Sequence, residues 1–365
     1  MELRVGVSPS SHGMMDPCGV VSLSCGSQKN AAFRRNTVFR RSTVFRRSTV
    51  FRRSTAARRK STMTRFVGAM VILLMVFQLT AVAQEKRAQK KKKPVTKFAW
   101  VNPIKGNGLP QGLSHHTFKS KKNECEVGYC IYLPQQYSQE KAGRFPVVYY
   151  LHGGRPGSEL KSAKIAAYVD KAMRANEVGP MIYVFPNGGK MSHYDYPKFD
   201  SYGETAFLEL VEHVDATYRT IPNRQGRGVE GFSQGGRGTG RYMFKFPEMF
   251  SSAAPMGGGH QHEKRISESA GAESEYVKFE QHNNTWDLAR KFAKSDKPRM
   301  PILVVVGSKG FNLEANRDWS AHLKSLDIPH EFVIVDDVPH SAAQVYDKIG
   351  LRILKFHEHN FKSAR

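Results

Sequence analysis

Val229-Glu230-Gly231-Phe232-Ser233-Gln234-Gly235-Gly236 places one serine at the centre of a G-x-S-x-G turn. A serine hydroxyl is a poor nucleophile by itself. It becomes a useful one when a sharp strand-to-helix turn lifts it clear of a sheet, toward a histidine on one side and backbone N–H donors on the other. The flanking glycines have a steric role, because side chains there would meet the neighbouring strand and helix. The pentapeptide alone decides little. With 31 glycines in 365 residues, a given serine is flanked this way with a probability of about 0.7%, and over all serines a chance match is roughly a one-in-five event. Its surroundings carry the argument. Gly226–Phe232 is a partly apolar run of strand length, and Arg237–Phe246 lacks proline and carries Tyr242, Met243 and Phe246 at helical spacing before Pro247. Gly236, Gly238 and Gly240 weaken that helix by about 1 kcal/mol each, so they are read as permitting close packing on a sheet.

Working outward, the first 62 residues do not read as a domain. Phe33-Arg-Arg-Asn-Thr-Val begins four near copies of a six-residue unit, restarting at Phe39, Phe45 and Phe51, with no consistent apolar face. Such repeats cannot assemble a core, so residues 1–62 are expected to be a disordered basic leader or to lie upstream of the true start at Met63. Arg65, the apolar run Phe66–Phe77 and Ala81-Val82-Ala83 form the pattern of a signal peptide over 63–83, cleaved after Ala83. The alternative is an uncleaved membrane anchor, since Phe66–Ala83 is near the lower limit for crossing a bilayer. Residues 84–97 read as a basic linker. Residues 1–83 hold 14 Lys+Arg against 2 Asp+Glu, which is half of the chain's net charge of +24. A nucleic-acid partner is therefore not expected from the charge. Cys125 and Cys130 could bridge only across a turn at Gly128; in one continuous strand they stand roughly 16 Å apart.

From residue 98 to 365 the chain alternates apolar runs with helical patterns, as an α/β sheet requires. Strands are expected at Val127–Leu133, Pro146–Leu151, Met181–Phe185, Gly226–Phe232, Ser251–Pro255, Ile302–Val306 and His330–Val335. Helices are expected at Leu160–Asn176, Gly203–Arg219, Asp287–Ser295, Asn316–Leu326 and Ser341–Phe361. The unbroken Ile302-Leu-Val-Val-Val306 reads as a strand buried on both faces. The whole implies a mostly parallel central sheet covered by helices on both faces, in one domain.

A serine nucleophile needs a base, and His340 in Asp336-Asp-Val-Pro-His340-Ser follows the last expected strand and precedes the terminal helix, the topological place for it. His357 and His359, late in a helix, read as surface residues. An oxyanion hole needs two backbone N–H groups. Gln234 supplies one, and Tyr149-Tyr150-Leu151-His152-Gly153-Gly154, a strand running into H-G-G, offers a loop for the other; His152 reads as a structural hydrogen-bonding residue.

Ile131-Tyr-Leu-Pro134, Leu151-His-Gly-Gly154, Asp215-Ala-Thr-Tyr-Arg-Thr220, Gly231-Phe-Ser-Gln-Gly-Gly236 and Pro339-His340 together resemble esterases of the esterase D and feruloyl esterase type. These are α/β-hydrolases that include S-formylglutathione hydrolases, carbohydrate esterases and mycolyltransferases. The resemblance spans residues 115–361. It implies an α/β-hydrolase fold, Ser233 as nucleophile, His340 as base, and Gly153 and Gln234 as oxyanion donors. One departure matters: the family's acid stands in a G-x-x-D sequence, and this chain reads Gly307-Ser-Lys-Gly310. Glu314 is the first replacement candidate, because a long side chain at the start of the next helix could reach back; Asp337 and Glu263 are its rivals.

Asn187-Gly-Gly-Lys-Met-Ser-His-Tyr-Asp-Tyr196 lies where such sheets bind ligands, so His193, Tyr194 and Tyr196 are candidates to stack on a sugar or aromatic acyl group. The expected function is a secreted or periplasmic serine carboxylic-ester hydrolase acting through an acyl-enzyme on a small-molecule or polysaccharide-linked ester. The motifs imply no metal or organic cofactor, and a membrane partner only if the signal segment is retained. An acyltransferase, or a silent hydrolase-fold binding protein, are the alternatives.

Overall fold

Residues 97–104 and 108–363 are described by a computed structural model. The leader, the signal segment and the linker up to residue 96 lie outside the described residues. In chain order the elements are β1 (Leu113–Ser120), β2 (Cys125–Tyr132), α1 (Gln135–Gln139), β3 (Val147–Leu151), α2 (Ile165–Arg174), β4 (Ile182–Pro186), β5 (Asp195–Tyr196), β6 (Ser201–Tyr202) and α3 (Gly203–Thr217). There follow β7 (Arg227–Phe232), α4 (Gln234–Lys245), β8 (Ser252–Met256), α5 (His260–Glu268), α6 (Thr285–Ala293), β9 (Leu303–Gly307), α7 (Leu313–Ser325), β10 (Glu331–Val335) and α8 (Ala342–Ser363).

Eight strands form one sheet in the order β1-β2-β4-β3-β7-β8-β9-β10. β1 pairs antiparallel with β2, and β2 with β4; from β4 to β10 every pairing is parallel. Alternation along each strand divides the core into two layers. Val147, Tyr149 and Leu151 of β3 pack with Phe207 and Leu210 of α3, Met243 of α4 and Trp319 of α7. Val148 and Tyr150 face the other way, against Ile165 and Val169 of α2 and Ile353 and Leu354 of α8. Each such side chain, taken fully from water, contributes roughly 1.5–3 kcal/mol. This is the α/β-hydrolase architecture, with the carboxyl ends of β3, β4, β7, β8, β9 and β10 on one edge of the sheet.

The seven expected strands are present within one or two residues of their expected bounds, and so are the helices over Gly203–Thr217 and Thr285–Ala293. The helix expected at Leu160–Asn176 is shorter, Ile165–Arg174. The serine helix begins at Gln234 rather than Arg237, because Ser233 is its N-cap. β1, α1 and α5 were not expected. Cys125 and Cys130 lie in one continuous strand and are both free. His357 is buried, not on the surface: its Nδ1 lies 2.8 Å from Ser252 Oγ and its Nε2 3.4 Å from Glu230 Oε2.

Candidate active site

Ser233 occupies left-handed backbone (φ 63°, ψ −111°) between β7 and α4. A non-glycine residue is strained there and persists only where its surroundings enforce it. The enforcement is visible in the main chain, where Ser233 N–H donates to Met256 O at 2.9 Å. The glycine requirement is equally direct: a Cβ at Gly235 would fall 1.9 Å from Leu151 O, and one at Gly231 would fall 2.7 Å from the same oxygen.

His340, in the loop between β10 and α8, has its Nε2 2.9 Å from Ser233 Oγ. It is half-buried, and burial lowers its pKa from the ordinary 6.5. The imidazole is therefore neutral at neutral pH and able to accept the serine proton.

Gln234 and Gly153 both lie against this pair. Gln234 is the first residue of α4, so its N–H has no intrahelical acceptor and points out at the positive end of the helix dipole. Gly153 abuts the serine, since a Cβ on it would lie 3.1 Å from Phe232 O and 3.3 Å from Ser233 Cβ. The Gly153 loop is held from behind by a buried histidine pair. His152 Nε2 accepts from Gly188 N–H at 3.0 Å, its Nδ1 lies 3.2 Å from Gly153 O, and His193 Nε2 donates to His152 O at 2.9 Å. Burial, with Lys161 adding to it, pushes the His152 pKa down to about 3, and burial followed by His152 pushes His193 well below its ordinary value. Both rings are neutral hydrogen-bonding groups.

The structure does not bring the three candidate acids to His340. Glu314 is in the first turn of α7 with its side chain 81% exposed, 3.4 Å from Arg317 Nε. That helical position turns it to solvent rather than back toward the loop. Asp337 pairs with Lys309 at the surface. Glu263 is fully buried and accepts from Arg237 Nε at 2.6 Å, Thr285 N–H at 2.8 Å and Tyr194 Oη–H. Among the described residues no carboxylate hydrogen-bonds or ion-pairs with His340.

The esterase family model matches residues 120–326, more than half of the chain. The chain belongs to the esterase family. It is 30% identical over 152 residues to Esterase Rv1288 of Mycobacterium tuberculosis; the match covers 40% of this chain and 32% of that protein. The chain thus spans about a third of the length of the curated relatives it matches. Among solved structures it is similar to a ferulic acid esterase (TM-score 0.57, 22% identity, covering 68% of this chain and 98% of that one). It is also similar to an S-formylglutathione hydrolase from Agrobacterium tumefaciens (TM-score 0.55, 18% identity, 68% and 95%).

In this esterase-family chain the residues proposed for substrate stacking are all buried. His193 and Tyr194 are 0% and 1% exposed. Tyr194 stacks on Phe279 at 3.9 Å and has the Arg241 guanidinium 3.5 Å from its ring centre. Tyr196 is buried beside Phe279 and contributes only to the lining of a surface cavity of about 480 Å³, together with Tyr276.

Two features of the site were missed in the sequence. One is a buried ion-pair network: Arg237, in the first turn of the serine helix, donates to Glu263 and Glu273 at 2.6 Å each, and Arg155, just past Gly153-Gly154, reaches Glu273 at 2.5 Å. Burial would raise the Glu273 pKa, but Arg237 and Arg155 outweigh it and hold it at about 2. The other is Phe311, whose ring lies 4.4 Å from that of His340. Arg237 and Arg241, one turn apart on the same face of a glycine-rich helix, were the available signal for the first; a lone loop aromatic gave none for the second.

Proposed function

We propose that this chain is a serine carboxylic-ester hydrolase working through an acyl-enzyme on Ser233. The observation that carries the reading is the 2.9 Å approach of His340 Nε2 to Ser233 Oγ at a strained strand-to-helix turn. In the proposed mechanism Ser233 Oγ attacks the ester carbonyl as its proton passes to His340 Nε2. The carbonyl oxygen takes negative charge between the Gly153 and Gln234 N–H groups. His340 returns the proton to the departing alcohol, then removes one from the water that releases the acid.

A carbohydrate-linked or hydroxycinnamoyl ester is the proposed substrate class, supported by the likeness to a ferulic acid esterase and by the signal-like pattern of residues 63–83, which favours an exported enzyme. Labelling by a fluorophosphonate at neutral pH, abolished by Ser233→Ala, tests the activated serine. An unlabelled wild type would leave the silent-scaffold reading, which the lack of a carboxylate at His340 among the described residues favours. Ferulate release from a feruloylated arabinoxylan oligosaccharide, set against S-formylglutathione hydrolysis, tests the substrate class. An N-terminus at Gln84 in the exported protein tests the cleavage.

A further inference from the structure

Gly310 stands where the family's pattern has its acid, and two aromatic rings stand against the base. The Phe232 ring centre lies 4.7 Å from that of His340 at 43°, and the Phe311 ring centre 4.4 Å away at 49°. Phe232 is the buried last residue of β7, next to the nucleophile. Phe311 is 78% exposed, in the loop between β9 and α7. A lone exposed phenylalanine is ordinary; one seated on the imidazole of the reacting pair, beside the vacated acid position, calls for a role.

We propose that Phe311 and Phe232 are positioning residues that hold His340 in the orientation usually fixed by a carboxylate, so that Ser233 and His340 act as an aromatically clamped dyad. This rests on the hydrolase reading above. A relay carboxylate fixes the ring orientation and tautomer of its histidine and stabilises the imidazolium that forms. Rings packed against the imidazole meet the orientation half of the first need by confining its rotation, and their negative π faces meet part of the second.

The loop is built to keep Phe311 in place. Asn312, 2% exposed, donates through Nδ2 to Gly258 O at 3.0 Å and to Gly257 O. Lys309 N–H donates to Val338 O at 2.9 Å, tying the same loop to the one that carries His340. Gly257, at φ 51°, closes the packing behind: a Cβ there would lie 2.9 Å from Phe232 Cε2 and 3.5 Å from His340 Cε1. The charged groups nearby on these loops are engaged elsewhere, Asp337 with Lys309 and Asp336 with Ser308.

The experiment compares wild type, Phe311→Ala, Phe311→Tyr and the Phe311→Ala/Gly310→Asp double variant. It reads the fluorophosphonate labelling rate of Ser233, and kcat and KM for p-nitrophenyl acetate, whose small acyl group makes little use of an outlying ring. General-base positioning predicts that Phe311→Ala lowers labelling and kcat by at least about tenfold, with KM changed less than about twofold. Phe311→Tyr is expected to stay near wild type, since it keeps the ring. Gly310→Asp is expected to restore much of the loss by supplying the missing carboxylate; a Cβ there meets nothing closer than Gly307 O at 3.1 Å. Circular dichroism and Tm of each variant confirm the fold. A labelled wild type with unchanged labelling and kcat in Phe311→Ala overturns the clamp and leaves the hydrolase reading standing. A change in KM alone also overturns it, making Phe311 a substrate wall. An unlabelled wild type refutes the hydrolase reading and the clamp with it.

Discussion

At the scale of single residues the proposed chemistry is a proton transfer from Ser233 Oγ to His340 Nε2, 2.9 Å away. His340→Ala is expected to lower kcat/KM by at least about a hundredfold, the low end for a general base, with circular dichroism unchanged. The pH dependence follows from burial. The folded-state pKa of His340 lies below 6.5, so the neutral, proton-accepting form persists below pH 6.5 and is lost only as pH falls through the lowered value. The acid limb of kcat/KM should therefore have its midpoint below pH 6.5; a midpoint above 6.5 would mean that an anionic partner stabilises the imidazolium. Gly235 is the second residue-scale case. Its Cβ position lies 1.9 Å from a main-chain oxygen, which no rotamer change relieves. Gly235→Ala should abolish soluble, folded protein, and a wild-type melting curve for it would contradict the turn geometry.

Between elements, the Arg237 network ties the serine helix to α5 and to the segment carrying Glu273, while Arg155 ties the Gly153 loop to the same carboxylate. Replacing Arg237 by Met leaves Glu263 buried without its cationic partner and Glu273 with Arg155 alone. Breaking a buried pair from one side costs about 3–5 kcal/mol, so the urea midpoint should fall accordingly, and an unchanged midpoint would show the pairs to be dispensable. Glu273 also carries a pH signature. Its pKa of about 2 lies below the ordinary 4.5, so its stabilisation is complete above pH 4.5 and is lost as pH falls toward 2. Glu273→Gln should flatten that part of the acid-unfolding curve. Element identity was legible where patterning was strong. The central strands read as continuous apolar runs because both faces are covered. β1, Leu-Ser-His-His-Thr-Phe-Lys-Ser, escaped notice because an edge strand tolerates polar residues on its open face.

Across the whole molecule, the first described residues are fastened to the active-site side of the sheet through Glu159. It is 0% exposed and accepts from Asn102 N–H at 2.7 Å and from the side chains of Asn102, Asn187 and His115 at 2.9–3.0 Å. Glu159→Ala strands these donors at about 1–3 kcal/mol for a buried group left unmade. Faster amide exchange at Asn102 and Gly128, whose N–H donates to Trp100 O at 2.8 Å, should report the release; unchanged exchange would show that the segment is held by other contacts. The chain announces its fold, the strained Ser233 turn and the loop that carries His340 because those depend on local sterics and strand periodicity, which neighbouring residues encode. It could not announce which carboxylate goes where, or which aromatics are free. Glu263 meets Tyr194 across 69 residues and Glu273 meets Arg155 across 118. Those partnerships turned a candidate relay acid and two candidate substrate aromatics into buried supports, and left two phenylalanine rings beside His340. Burial and charge pairing between distant segments exist only once the sheet is assembled, so only the tertiary structure could decide them.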